Sequence, residues 1–237
     1  MRTGCLNQLS KNERQCAMKS WLKSHGLLVA NVGLFVAFFI GMTFTGYSVY
    51  NSDQVEHGGT AVALSTYLMS GDFGEATFEN WESEWLQMGM YVVLTAYLFT
   101  RGSSESKPLG KPSPQDEDPE SARDKPGVPW AARRGGWVLA LYKRSLSILF
   151  FGLFAATFTL HAITGAAAYS AVEIEHGGSP VNAIEYLGTS QFWFEAFQNW
   201  QSEFLAIAVM VGASVYLRHK GSAESKPVAA PHHQTGS

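Results

Sequence analysis

Long apolar runs alternate with polar segments along the chain. Residues 27–50 contain no acidic or basic side chain, and at about 1.5 Å per residue such a helix exceeds the roughly 30 Å hydrocarbon core of a bilayer. A second long run covers residues 145–168, and shorter apolar runs cover residues 82–100 and 201–217. This pattern predicts an all-α membrane protein with four transmembrane helices.

The apolar runs belong to a block of sequence that occurs twice. Three motifs recur, Glu-His-Gly-Gly, Asn-Trp-x-Ser-Glu and Gly-Ser-x-Glu-Ser-Lys-Pro, and each second copy follows the first by 119 residues. They begin at Glu56, Asn80 and Gly102, and again at Glu175, Asn199 and Gly221. Because the first apolar run recurs in mid-chain, it is not expected to be a cleaved signal peptide. The sequence therefore predicts two tandem hairpins.

The distribution of charge predicts how the hairpins are oriented. All 17 Lys and Arg residues lie outside the segments 51–84 and 170–203, whereas twelve of the 20 acidic residues lie inside them. Cytoplasmic loops are enriched in Lys and Arg, so these two segments are predicted to be outer loops and both chain termini to be cytoplasmic. Both hairpins then start inside, which gives parallel-topology repeats related by a pseudo-two-fold axis along the membrane normal.

These patterns give a complete predicted organisation. Residues 109–135 are rich in Pro, Ser, Gly and mixed charge, a composition that favours a flexible linker. Residues 1–17 are expected to be a dispensable extension, and Cys5 and Cys16 to be reduced thiols. The segments are a cytoplasmic N-terminal segment 1–25, hairpin repeat 26–108, cytoplasmic linker 109–135, hairpin repeat 136–227 and disordered tail 228–237.

Each outer loop is predicted to contain a short amphipathic helix and then a second helix that continues into the next span. Thr60 and Ser179 are the predicted N-caps of the short helices, with Pro180 at a first helical position. The longer helices are predicted to begin after Ser70-Gly71 and Thr189-Ser190, where turn residues precede an apolar periodicity.

The three repeated motifs carry a resemblance to a known family. With them in view, the chain resembles uncharacterised bacterial integral membrane proteins that are grouped as a domain of unknown function. The resemblance runs from about Met18 to Pro227. It implies a multi-pass protein of the bacterial inner (plasma) membrane, and it implies no particular activity.

The two Glu-His pairs, Glu56-His57 and Glu175-His176, are the first candidate functional residues. Two histidines and two glutamates brought together on the outer face could bind a divalent metal or sense pH. The alternative is a helix stop, with Gly58 as the left-handed residue of the C-cap and the histidine at the negative helix end. The glycines favour the helix stop.

Polar residues near the outer ends of the shorter spans are the second set of candidates. Carboxylates at the mouth of a span can mark the path of a cation or proton. The alternative is an interfacial helix whose acids face lipid headgroups and whose tryptophans anchor it. The candidates are Asn80, Glu84, Asn199 and Glu203, and the anchors are Trp81, Trp85 and Trp200.

His161 lies inside the third predicted span, where the first copy has Met42. No acidic or basic residue is expected in the middle of any span, so His161 is predicted to form a neutral hydrogen bond between helices. A transport pathway would require the other polar residues of the spans to converge on one axis. These are Asn31, Thr43, Gln87, Thr95, Thr157, Thr159 and Ser214.

The function expected from these features is that of a non-catalytic structural or accessory membrane component. The sequence contains no phosphate-binding loop, nucleophile elbow or metalloprotease motif, so no catalytic residue and no cofactor is predicted. The basic residues flank the spans, where inner-leaflet lipid accounts for them better than nucleic acid. The alternatives are a small oligomeric transporter or channel, and an outward-facing metal or pH sensor that uses His57 and His176.

Overall fold

The computed structural model describes residues 11–236, and for residues 11–17 it describes the backbone alone. This part of the chain contains helices, turns and loops and no β-strand, which confirms the all-α fold class. The helices are α1 (Lys11–Glu56), α2 (Leu64–Tyr67), α3 (Gly71–Tyr97), α4 (Trp130–Arg134), α5 (Gly136–Tyr142), α6 (Ser145–Glu175), α7 (Ala183–Tyr186) and α8 (Ser190–Ala213), and a 3₁₀ turn covers Pro114–Asp116.

Two of these helices are long and apolar enough to cross a membrane, where the sequence pattern predicted four. They are Met18–Glu56 within α1 and Ser145–Glu175, which is α6. Helices α3 and α8 have 27 and 24 residues, but each begins with a polar half that contains several carboxylate or amide side chains. Composition therefore supports two candidate spans among the described residues.

The chain divides into two compact units, with the boundary between Met69 and Ser70. The first unit contains α1 and α2, and the second contains α3 to α8. Within the second unit α3 packs against α6 and α8. Helices α6 and α8 also meet through aromatic rings, such as those of Phe158 and Phe192, whose centroids are 5.2 Å apart. The boundary lies inside the first predicted hairpin, residues 26–108.

Glycines allow the beginning of α3 to approach α6 closely. A Cβ atom at Gly71 would lie 2.5 Å from the backbone nitrogen of Ala168 and 2.8 Å from the carbonyl oxygen of Thr164. A Cβ atom at Gly74 would overlap the Thr164 side chain. Any larger residue would therefore push the helices apart, and the close approach turns the polar half of α3 towards α6.

The two longer helices of the outer loops begin where the sequence predicts. The Ser70 side chain accepts a hydrogen bond from the backbone N–H of Phe73 at the start of α3. Thr189 does the same for Phe192 at the start of α8. Both helices then continue without a break to Tyr97 and Ala213, so their predicted starting points and their continuity are confirmed.

The predicted N-caps of the short helices, Thr60 and Ser179, are wrong. Helix α7 begins after Asn182, which forms a capping box with Glu185, and α2 begins after Ala63. The residues before α7 are tied to α6 because the N–H of Val181 donates to Ser170 Oγ over 2.9 Å. This bond places Ser179 and Pro180 before the helix instead of in its first turn.

Helices α1 and α6 end in the same Schellman arrangement, which confirms the predicted helix stops. Gly58 and Gly177 have φ angles of 82° and 79°, in the left-handed region that favours glycine. The N–H groups of Gly59 and Gly178 donate to the carbonyls of Gln54 and Glu173 over 2.8 and 2.7 Å.

Replacement of Gly177 by alanine is expected to lower the free energy of unfolding by about 1 kcal/mol, because an L side chain strains the left-handed backbone. Gly152→Ala is the control, since Gly152 lies within α6 and a Cβ atom added there would have no atom within 4 Å. It is expected to be neutral or to stabilise by up to about 1 kcal/mol. Denaturant unfolding in mild detergent, followed by circular dichroism, measures both. Equal stability of Gly177→Ala and wild type would contradict the cap.

The residues after α8 are folded against the loop after α3. The N–H of Gly236 donates to the carbonyl of Ser103, and the N–H of Gly102 donates to Thr235 Oγ1, both over 2.9 Å. The sequence predicted a disordered tail over 228–237, but its described residues 228–236 include these contacts. Composition alone misses them because they involve mostly backbone groups.

Lys226 is the centre of this folded segment. Only 1% of the residue is exposed, and its ammonium group donates to the carbonyls of Gly102, His232 and Gln234. The corresponding lysine of the first copy, Lys107, instead pairs with Asp116 over 2.6 Å. The repeated Gly-Ser-x-Glu-Ser-Lys-Pro motif therefore makes different contacts in its two copies.

Candidate functional site

Three helices of the second unit meet at the imidazole of His161, which is fully buried in α6. Its Nδ1 lies 3.1 Å from Oε2 of Glu82 on α3, and its Nε2 lies 3.3 Å from Oε2 of Glu195 on α8. The sequence predicted a neutral hydrogen bond between helices. The bonds do connect helices, but the partners are carboxylates, because the polar half of α3 packs beside the middle of α6.

Tyr186 connects two carboxylates of this cluster. Its hydroxyl lies 3.0 Å from Oε1 of Glu75 and 2.5 Å from Oε2 of Glu195, and the residue is fully buried. Gly165 makes room for it, since a Cβ atom there would lie 2.5 Å from the tyrosine ring and 3.0 Å from the Glu75 carboxylate. One hydroxyl hydrogen therefore serves two acidic groups.

Amide side chains complete the cluster on the side of α8. Asn199 donates through Nδ2 to Glu79 Oε1 and lies 3.3 Å from the carbonyl of Glu195. Gln191 Nε2 donates to Glu195 Oε1 over 2.5 Å. These bonds fix both oxygens of Glu195, because its Oε2 already faces His161 and Tyr186.

Aromatic side chains pack against the imidazole of His161. The ring of Phe192 stacks on His161 with centroids 4.7 Å apart, and it contacts the ring of Tyr186 edge-on at 5.5 Å. Phe192 is itself fully buried. Such apolar surroundings lower the local dielectric constant and so strengthen every charge interaction in the cluster.

The cluster has a strong excess of acidic groups. Four glutamates, Glu75, Glu79, Glu82 and Glu195, surround one imidazole, and among the described residues no Lys or Arg forms an ion pair with them. Glu82 is fully buried, and its Oε1 has no hydrogen-bond partner among the groups that the structure describes. Buried charges need partners, so this arrangement is suited to holding a cation.

The sequence contains signals for this cluster outside the features shared by the two copies. Glu75, Glu79 and Glu82 are spaced four and three residues apart, so they lie on one face of a helix. The site also occupies positions at which the two copies differ. At the 119-residue offset, Glu75, Glu79, Glu82, His161 and Glu195 correspond to Phe194, Gln198, Gln201, Met42 and Ala76.

Comparison with known protein families identifies the group to which the chain belongs. The family model of DUF6766, a domain of unknown function, matches residues 18–237. The chain is a member of the DUF6766 family. The matched region includes every residue of the cluster. No curated protein and no solved structure matches this DUF6766 chain.

The Glu-His pairs predicted for the DUF6766 chain lie at helix ends and are exposed. His57 Nδ1 contacts the Asp53 carbonyl at 3.0 Å and its carboxylate at 3.4 Å. His176 Nδ1 lies 2.8 Å from the carbonyl of Val172. Each ring therefore satisfies its own helix end, as the helix-stop interpretation expects. Glu56 and Glu175 are exposed beside them.

The four polar candidates near the ends of the shorter predicted spans have different surroundings in the DUF6766 structure. Asn199 is part of the cluster, whereas its counterpart Asn80 is exposed and donates to the Ala76 carbonyl of its own helix. Glu84 is exposed. Glu203 is half-buried, and its backbone carbonyl accepts from Gln87 Nε2 over 2.7 Å, which joins α8 to α3.

The predicted tryptophan anchors take part in aromatic packing. Trp85 stacks on Phe150 of α6 with centroids 6.1 Å apart. Trp81 contacts Phe78 edge-on, and Trp200 contacts Phe154 of α6. Their role as interface anchors stays a prediction.

The other polar residues of the predicted spans are mostly satisfied by their own helices. Most donate to a carbonyl three or four residues earlier in their own helix, namely Asn31, Thr43, Thr95, Thr157 and Thr159. Ser214 shares a hydrogen bond with Ser103. The polar groups that do converge are those around His161.

Proposed function

We propose that this DUF6766 protein is an integral membrane protein that binds a cation at His161 and carries it across the membrane. The observation that supports this most is a fully buried histidine between Glu82 and Glu195, in a helix long and apolar enough to span a bilayer. Ionisable groups within a membrane are costly, and they commonly mark the path of an ion or proton.

The proposal includes four spans in two tandem hairpins of parallel topology. Helices α3 and α8 would be about 40 and 36 Å long, enough to cross a roughly 30 Å core. Their acidic residues lower the apolar content, but Glu75, Glu82 and Glu195 face the cluster, an arrangement in which charged groups are tolerated in membranes. The segregation of Lys and Arg supports cytoplasmic termini in a bacterial inner membrane.

Partial exposure of the cluster suits a carrier. The Glu195 side chain is 14% exposed, whereas the His161 and Glu82 side chains are fully buried. Glu75 and Glu79, which are also only half-buried, lie in the first turns of α3, at the end that the proposed topology places outside. A cation would reach Glu195 first and His161 afterwards.

The proposed protein is embedded in lipid and has neither catalytic activity nor a nucleic-acid partner. It favours transport over a purely structural or accessory role, because a structural role gives no reason for four carboxylates around a buried imidazole. The proposed transporter would act alone or as a homo-oligomer, and its ion path would run through this cluster instead of through the scattered threonines.

Flux into liposomes tests the proposal. Purified full-length protein is reconstituted into vesicles that contain either a pH-sensitive dye or a dye quenched by Mn²⁺ or Zn²⁺. Wild type is expected to dissipate at least one of these gradients, and His161→Met to slow that flux at least tenfold, since a thioether cannot take up a proton or pair with carboxylates. Methionine is the residue of the first copy at this position, Met42.

His219→Gln provides the control, because His219 is an exposed histidine outside the cluster and its replacement should leave the flux unchanged. Absence of flux from wild-type vesicles for every ion tested would overturn the transport proposal. Equal flux in His161→Met and wild type would overturn the role of this cluster.

A further inference from the structure

We infer that the cation is a divalent transition-metal ion, bound by Nε2 of His161 and by one carboxylate oxygen each from Glu75 and Glu195. This rests on the proposed function and specifies the class of ion. The three residues come from α3, α6 and α8, and one possible ligand atom of each lies within 4.8 Å of the others.

The distances fit a shared metal ion. Zn²⁺ binds imidazole nitrogen and carboxylate oxygen at about 2.0–2.2 Å, and a tetrahedral arrangement then separates neighbouring ligand atoms by about 3.3–3.6 Å. His161 Nε2 and Glu195 Oε2 are 3.3 Å apart. A carboxylate oxygen of Glu75 lies within 4.8 Å of both atoms, so movement of this side chain would bring it to a metal ion between them.

Glu82 orients the imidazole of His161 and fixes its tautomer for metal binding. Its Oε2 lies 3.1 Å from Nδ1 of His161, and both side chains are fully buried. A carboxylate at Nδ1 keeps the proton on that nitrogen and leaves the lone pair of Nε2 free for a metal, the arrangement found behind many metal-bound histidines. In the metal-free protein a proton on Nε2 would bond to the Glu195 carboxylate, and a metal ion would take the place of that proton.

Tyr186 holds the two proposed carboxylate ligands in place. Its hydroxyl is within hydrogen-bond distance of Glu75 and Glu195, so it orients both side chains. Three protein ligands leave at least one coordination position open, which an ion that must be released again requires.

The donor set indicates the class of metal. One imidazole and two carboxylates, with no thiolate, suit Zn²⁺, Mn²⁺ or Fe²⁺, whereas Cu⁺ prefers sulfur ligands. Ca²⁺ and Mg²⁺ prefer oxygen ligands alone. A divalent ion also brings two positive charges to a buried cluster of four acidic groups, whereas a single proton on His161 brings one.

Metal titration of the full-length protein in detergent tests this inference. Calorimetry with Zn²⁺ and Mn²⁺ should give one site per chain, and Co²⁺ substitution should give visible absorption bands of a low-symmetry site. His161→Met and Glu195→Ala, which introduce the residues of the first copy, should each weaken binding at least 100-fold. Glu82→Gln should weaken it about 10–100-fold, as expected for a group that orients a ligand.

Two further variants test whether the metal binds at this cluster and not at another histidine. His219→Gln should bind metal like wild type. The double variant His57→Ala/His176→Ala should also retain the site, and loss of metal in that variant would overturn the inference in favour of the exposed Glu-His pairs. Size-exclusion and thermal unfolding profiles check folding, and Glu82→Gln keeps the test decisive if His161→Met does not fold.

The outcomes for metal and transport are separable. No metal binding by wild type, together with proton flux that depends on His161, would overturn the metal inference and leave the proposed cation carrier in place. Metal binding that His161→Met abolishes, without flux of any ion, would support the site and overturn transport. Metal binding that His161→Met leaves intact would overturn this ligand set.

Discussion

Replacement of Phe192 by alanine is expected to lower the free energy of unfolding by about 3–5 kcal/mol, the range observed when a large buried aromatic side chain is truncated. Phe192 is fully buried and contacts His161, Tyr186 and Phe158 through its ring. Its loss would leave a cavity beside the imidazole and expose the charged cluster to solvent or lipid, so metal binding should fall together with stability.

Phe194→Ala is the matched control, because Phe194 lies two residues further along α8 with 63% of its surface exposed. Its truncation should change the free energy of unfolding by less than about 1 kcal/mol in detergent. Denaturant titration of both variants, monitored by circular dichroism and tryptophan fluorescence, measures the difference. Similar effects of the two substitutions would contradict the packing of α8 against α6.

The second large effect is expected for Lys226→Met, which should release residues 228–236 from the loop after α3. The ammonium group of Lys226 donates to at least three backbone carbonyls, and hydrogen bonds to a charged group contribute about 1.5–3 kcal/mol each. Methionine fills a similar volume but donates nothing. In the variant, residues 228–236 can separate from the loop, and water then binds the freed carbonyls. This hydration limits the net loss of local stability to about 2–4 kcal/mol.

Hydrogen exchange of the backbone amides at Gly102 and Gly236 reports this release, since both N–H groups bond across the contact. Their exchange should accelerate by about 30- to 1,000-fold in Lys226→Met, which corresponds to about 2–4 kcal/mol of local stability. Lys220→Met is the control, because Lys220 is exposed in the same segment. Unchanged exchange in Lys226→Met would show that the carbonyl contacts contribute little.

Much of the fold follows from local sequence rules. The helices α3 and α8 begin at the turn residues where the sequence places their starts, with Ser70 and Thr189 as their N-caps, and Gly58 and Gly177 end the helices that precede them. These features depend on a few neighbouring residues, so the sequence contains all the information required. The start of α7 differs from the prediction because two possible capping residues, Ser179 and Asn182, compete. The hydrogen bond that the N–H of Val181 donates to Ser170 Oγ, eleven residues earlier, decides between them.

The cluster depends on contacts between distant segments, which explains why local sequence patterns did not predict it. Glu82 and His161 are 79 residues apart, and the pairing follows from the close approach of Gly71 and Gly74 to α6. The charge pattern predicts an outer loop and its interface for the acidic residues of α3, because charge alone does not distinguish a solvated segment from a helix that faces a polar interior. The repeated motifs also point to positions that the two copies share, whereas the cluster occupies positions at which they differ.

Because the two copies differ in sequence, the two halves of the chain contribute different side chains to the cluster around His161. The first copy supplies Glu75, Glu79 and Glu82, and the second supplies the imidazole, the phenol and Glu195. A pair of identical halves would lack either the histidine or the acids on α3, so no dimer of one half could reproduce the cluster. Covalent linkage therefore fixes the two contributions at one to one, and the described part of the chain contains a single cluster of this kind.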